Sequence, residues 1–178
     1  MKTLLLLIIS TSLFAQSQST ISLTKEDKLR FLDSLNTYRK LIGSPESQYS
    51  FTYEKISTTR INTIRKYLKK ISRKKCEANP RKHLHYNFDK DFNIFKLEEF
   101  KKDTTIGWHG ECTYASFTNS FNKKDLVAEL FNRWKSSKDH WNNMLDPDFK
   151  YITLELEFKD NLVIAVLNSF DFKLKKKK

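Results

Sequence analysis

Apolar residues recur at helical spacing early in the chain, at Phe31, Leu35, Tyr38 and Ile42. Thr24 and Asp27 stand ahead of them in the pattern of a capping box, and Gly43 and Pro45 follow, so the helix is bounded at both ends. A second amphipathic helix is predicted from about Glu54 to Ser72. Ile61, Ile64, Leu68 and Ile71 form its buried stripe, and Arg65, Lys66, Lys69 and Lys70 its other side. Beyond Cys76 the periodicity fades. Asn79-Pro80 marks a turn, and His83-Leu84-His85-Tyr86 fits either a short strand or an extended loop. Phe88, Phe92, Phe95 and Phe100 suggest a connection packed onto the body of the protein. A third helix is expected from a cap at Asn122 to about Lys135, with Leu126, Val127, Leu130, Phe131 and Trp134 on its apolar face.

The C-terminal third changes period. Ile152, Leu154, Leu156 and Phe158 alternate with Thr153, Glu155 and Glu157, which is the mark of a half-buried strand. Asp160-Asn161 is a hairpin turn, and the returning Leu162–Leu167 segment is apolar on both faces. A strand of that kind needs cover on each side. Early helices, a terminal hairpin and one doubly buried strand predict an α+β fold. The expected form is a three-layer α–β–α sandwich with a small antiparallel sheet ending in a C-terminal hairpin.

Composition narrows the class. The 178 residues suit one domain, and 39% apolar with 13% aromatic residues excludes a wholly disordered chain. Met1–Ala15 reads as a signal peptide, with Lys2 as its positive end and Leu4–Ile9 as its apolar stretch. Residues 16–23 are then a leader, 24–172 the domain and 173–178 a lysine-rich tail. Export, to the outside or to a periplasm, permits a disulfide. Cys76 and Cys112 are the only cysteines, so a single bridge is expected; two free buried thiols are the alternative. The formal net charge of +12 is concentrated in residues 65–75, Lys101-Lys102 and the tail, which favours acidic polysaccharides or anionic surfaces as partners. A solvated face that keeps the protein soluble is the plainer account. No nucleic-acid-binding motif is present. Two of the three glycines, Gly107 and Gly110, bracket Trp108 and His109, which predicts a constrained turn carrying His109, Glu111 and Cys112.

Four segments in this order resemble the CAP superfamily of cysteine-rich secretory, antigen 5 and pathogenesis-related proteins, in its bacterial form. They are Leu35-Asn36-Thr37-Tyr38-Arg39 with Gly43 and Pro45; Gly110-Glu111-Cys112-Thr113-Tyr114; Trp134 through His140 to Leu145; and the terminal hairpin. The resemblance implies the same sandwich, with a cleft lined by two histidines and one or two acids. It assigns Glu111 and His140 to that cleft, with His85 as the nearest match to the first histidine and His83 next. His109 adjoins Glu111 without a family counterpart. The ligand groove is thus placed at His140, Glu111, His85, His109 and Trp134, and a weakly held divalent cation would take His140, Glu111 and His85. Cys112 stands where the family usually has Asn, and Ser136-Ser137 where a second acid would be. The expected function is groove binding of a small ligand, lipid or divalent cation without catalysis. A hydrolase of peptide or ester bonds and a basic adhesion module are the alternatives.

Overall fold

The computed structural model describes residues 20–71, 73–79, 106–117 and 125–172. Along the chain these form β1 (Ile21–Ser22), α1 (Lys25–Leu41), β2 (Gln48–Tyr49), α2 (Lys55–Leu68) and α3 (Arg73–Ala78). Then come β3 (Ile106–Phe117), α4 (Leu126–Lys135), α5 (Lys138–Leu145), β4 (Tyr151–Lys159) and β5 (Leu162–Phe172). Among the described residues the strands make one sheet in the order β1-β4-β5-β3, with the short β2 added parallel to β4. The other pairings are antiparallel. The fold is therefore the expected α+β sandwich.

β5 separates two cores. Val163, Ala165 and Leu167 face a large cluster built with Phe31 and Leu35 of α1, Leu130 and Trp134 of α4, and Met144 of α5. Ile164 and Val166 face the opposite way, onto Ile61, Ile64 and Leu68 of α2. Burial of this kind contributes about 25 cal/mol per Å² of apolar surface, which accounts for an apolar run with no polar face. The hairpin closes at Asp160 and Asn161, both left-handed (φ 51° and 60°), as a two-residue turn matching strand twist requires.

The first helix starts where the sequence indicates. Thr24 Oγ1 accepts from the Asp27 amide at 3.1 Å, and Asp27 Oδ2 accepts from the Thr24 amide at 3.0 Å. The motif residues behind it are structural. Arg39 is fully buried and donates to the carbonyls of Pro45, Met144, Asp146 and Phe149 at 2.6–3.1 Å. Asn36 exchanges bonds with the Ser47 backbone at 2.8 and 2.9 Å.

Three expectations change. The segment bracketed by glycines lies within β3 and is not a turn. Gly107 sits at an irregularity in the β3–β5 register between Ile106 and Trp108, where glycine eases a bulge. A Cβ at Gly110 would lie 2.8 Å from the Phe149 ring and would also overlap the Asn143 amide, so this glycine admits α5 and the following loop. α4 is capped by Asp125, which accepts from the Ala128 amide at 3.1 Å; Asn122 lies outside the described residues. Finally, part of the supposed leader is structured. Ile21–Ser22 pairs with Glu157–Phe158, and Leu23 is buried in the core. The signal segment and the lysine tail lie outside the described residues.

Candidate functional site

Strand alternation decides what each β3 residue faces. Glu111 pairs in register with Asn168 of β5, which pairs with Thr153 of β4, so the three form one row across the sheet. α2 lies over that row. Ser57 shares a hydrogen bond of 2.8 Å with the Thr153 hydroxyl and accepts one of 2.9 Å from the Asn168 amide. One turn further along α2, Arg60 Nε donates to Glu111 Oε1 at 3.4 Å. The side chains of Arg60 and Glu111 are only 4% and 6% exposed, so this contact is desolvated rather than at the surface.

The pair is incompletely satisfied. Among the described residues Glu111 Oε2 is buried with no hydrogen-bond partner, and so is the neighbouring Thr113 hydroxyl. Burial pushes the Glu111 carboxyl up to about 8, and the Arg60 guanidinium only partly opposes that shift. At neutral pH the group is mostly a carboxylic acid, able to donate from one oxygen as well as accept. The other buried ionic cluster differs. Lys28 Nζ reaches Glu54 at 2.5 Å and Glu155 at 3.0 Å, and Tyr49 and the Leu156 amide bond to the same carboxylates. That cluster is internally complete. An unpartnered buried carboxyl oxygen is the rarer situation.

His140 is on the other side of the strand. It belongs to α5, which packs over Cys112, and its ring lies 6.3 Å from that of Trp134. Trp134 is 1% exposed and packs edge-on against Phe31 at 5.8 Å, so it is part of the core. β3 thus stands between His140 and Glu111, and the structure does not bring the two expected cleft residues together. The backbone of His109 pairs with Phe170, two positions before Glu111. His83 and His85 lie outside the described residues. Among the described residues, no group of three His, Cys, Asp or Glu side chains is placed to hold a metal ion.

The expected Cys76–Cys112 disulfide is absent. Cys112 is a free, fully buried thiol 3.6 Å from the His140 carbonyl, and burial raises its pKa well above the thiol range. It faces the core beneath α5. Cys76 belongs to α3, which continues from α2 on the opposite side, where Arg73 lies 5.5 Å over the Phe117 ring. The sheet lies between the two helical layers, so being the only two cysteines did not make them neighbours.

Arg60, Ser57, Thr153 and Asn168 were not identified from the sequence. A signal existed: Ile56, Arg60 and Ile64 recur every four residues, which puts an arginine in the apolar stripe of α2. Asn168 similarly ends an apolar run. A buried charge at such a position requires a partner.

The chain is an α–β–α sandwich whose second helix covers a buried Arg–Glu pair. A family model described as CAP, the cysteine-rich secretory protein family, matches residues 32–161. The chain belongs to that family. Among curated proteins, none matches the sequence. Among solved structures, an outer surface protein from Borrelia burgdorferi is similar at 15% identity and a TM-score of 0.54, over 87% of this chain and 100% of that one. A cysteine-rich secretory protein from Staphylococcus aureus is similar at 13% identity and 0.46, over 82% of this chain and 38% of that one. An extracellular protein containing an SCP domain from Bacillus anthracis follows at 15% and 0.48, over 82% and 40%. At these identities the likeness concerns the fold.

Proposed function

We propose that the chain is an exported CAP-domain binding protein that works without catalysis, with Glu111 and Arg60 at the polar centre of its site. The observation carrying this reading is the buried, unpartnered Glu111 Oε2 beside the Arg60 guanidinium. A neutral carboxyl and a guanidinium together offer donors to an oxygen acceptor, such as the head of a small carboxylate or lipid. Arg60 already supplies positive charge there, so the reading favours such a ligand over a divalent cation. Among the described residues β3 is the outermost strand of the sheet order, so Glu111 stands at the margin of that sheet. General acid–base hydrolysis would need His140 and Glu111 within reach of one substrate, and their placement on opposite faces of β3 argues for binding. Export rests on the signal-like Met1–Ala15 segment and the secretory character of the family. Among the described residues no helix is long and apolar enough to cross a membrane.

The test is calorimetric titration with octanoate, octanol and zinc chloride, alongside peptide and ester turnover assays. Octanoate should bind more tightly than octanol. Arg60→Met should weaken octanoate at least tenfold, while His140→Ala leaves it unchanged. Turnover lost in His140→Ala would overturn the non-catalytic reading, and zinc binding lost in both His140→Ala and Glu111→Ala would restore a shared His/Glu site.

A further inference from the structure

Glu111 is not alone in being unsatisfied beneath α2. Strand residues two apart share a face, so Thr113 looks the same way as Glu111, and it is 4% exposed. Among the described residues its hydroxyl, like Glu111 Oε2, is buried without a hydrogen-bond partner. One such orphan is uncommon; two at neighbouring positions of one face leave a gap in the bonding that packing does not explain. The next residues of that row are Ala115 and Phe117, both packed against the cluster of Ile64, Leu68, Ile164 and Val166. From Glu111 to Phe117 the α2-facing row of β3 therefore runs acid, hydroxyl, small apolar, large apolar. It ends at a hollow of about 190 Å³ whose lining includes Phe117, Leu162 and Ile164. Contribution to the core accounts for Ala115 and Phe117. It does not account for the Thr113 hydroxyl, since Val has the same shape and leaves nothing unpaired.

We propose that the ligand of the Glu111 site is a 3-hydroxy carboxylate with an alkyl tail. Its carboxylate meets Glu111 and Arg60, its hydroxyl meets Thr113, and its tail lies along Ala115 and Phe117. This assignment rests on the reading of Glu111 and Arg60 as the polar centre of a binding site. A neutral Glu111 carboxyl donates its proton toward the ligand carboxylate, a charge-assisted bond in which two acids share one proton. The Thr113 hydroxyl both donates and accepts, so it pairs with an alcohol in either sense. Alternate residues of a strand are about 7 Å apart, and a hydroxyl on the third carbon reaches further from the carboxylate than one on the second. From Thr113 to Phe117 the strand rises about 14 Å, which accommodates the extended tail of a medium-length acid.

The experiment is calorimetric titration of the full chain with octanoate, 2-hydroxyoctanoate and the two enantiomers of 3-hydroxyoctanoate. Wild type should bind one 3-hydroxy enantiomer about fivefold more tightly than octanoate, the worth of one neutral hydrogen bond. That ratio should survive in Thr113→Ser and fall to about one in Thr113→Val, where the hydrogen bond is gone. Equal affinity of wild type for octanoate and both 3-hydroxy enantiomers would overturn the proposal. So would an equal gain from both enantiomers or from the 2-hydroxy compound, which would mean that a polar tail is favoured at no fixed place. A ratio that persists in Thr113→Val would leave Thr113 a framework residue and also overturn it. If Thr113→Val does not fold, the enantiomer and 2-hydroxy comparisons on wild type decide alone. Octanoate that fails to bind, or that binds Arg60→Met as tightly as wild type, refutes the Glu111–Arg60 site and this proposal with it. Octanoate held through Arg60 with no gain from the hydroxyl refutes this proposal alone.

Discussion

Glu111 shows how far one residue can be read from a motif. The family motif marked it as a candidate site acid, yet not its partner or its protonation state, because both depend on which face of β3 it occupies. Its raised pKa makes a prediction with a definite sign. The folded value of about 8 lies above the ordinary 4.5, so in the pH window between them the native state holds a proton that the unfolded state has released. The stabilising effect of that proton is complete below pH 4.5 and is lost as pH rises toward 8. Within the window this single group costs at most about 1.4 kcal/mol of stability per pH unit. Urea titrations at pH 5, 6, 7 and 8 should therefore show wild type losing stability relative to Glu111→Gln. Parallel pH profiles for the two proteins would refute the buried, protonated carboxyl. Gly110 teaches the same lesson. Its rarity marked a constraint, but the constraint is the approach of Asn143 and Phe149, partners more than 30 positions away.

Among elements, legibility followed periodicity. α1, the buried stripe of α2, the alternation of β4 and the Asp160-Asn161 turn were all readable, because each is encoded within a few adjacent residues. β3 was not, because its glycines mimic a turn and its pairing partner β5 lies about 50 residues further on. The opening motif was readable as a signature but not as a mechanism. Its Arg39 holds α1 to the end of α5 and the segment after it through the carbonyls of Met144, Asp146 and Phe149, and bonds a fourth carbonyl at Pro45. Burial lowers the Arg39 pKa, so the charge is held against a desolvation cost by those bonds. Arg39→Met keeps most of the volume and strands the carbonyls; it should cost about 3 kcal/mol or more, since each unsatisfied buried group costs about 1–3 kcal/mol. Arg39→Lys should recover only part of the loss, as an ammonium cannot span four acceptors arranged for a planar fork. Thermal and urea melts of both variants measure this, and a loss below about 1 kcal/mol for Arg39→Met would contradict the stitching role.

At the scale of the whole molecule, the sheet is a partition. Family membership rests on the match over residues 32–161 and on the sandwich itself, and it holds although the two expected cleft residues lie on different sides of β3. One side carries Cys112, Trp134 and His140 with α1, α4 and α5, and the other carries Glu111, Asn168 and Thr153 with α2. Groups on opposite sides of the sheet should act independently, because interaction energies arise between residues in contact or in one network. Two double-mutant cycles follow, read by urea denaturation at pH 7. In the first, Glu111→Gln combined with His140→Ala should be additive within about 0.5 kcal/mol. In the second, Glu111→Gln combined with Arg60→Met should depart from additivity by about 1–3 kcal/mol, since removing Arg60 deprives the carboxyl of its nearest positive charge. The two cycles share the Glu111 variant, so any general loosening of β3 affects both equally. Strong coupling between Glu111 and His140 would mean that the side chains meet after all, and the site would then be a His/Glu cleft rather than an Arg–Glu pair beneath α2.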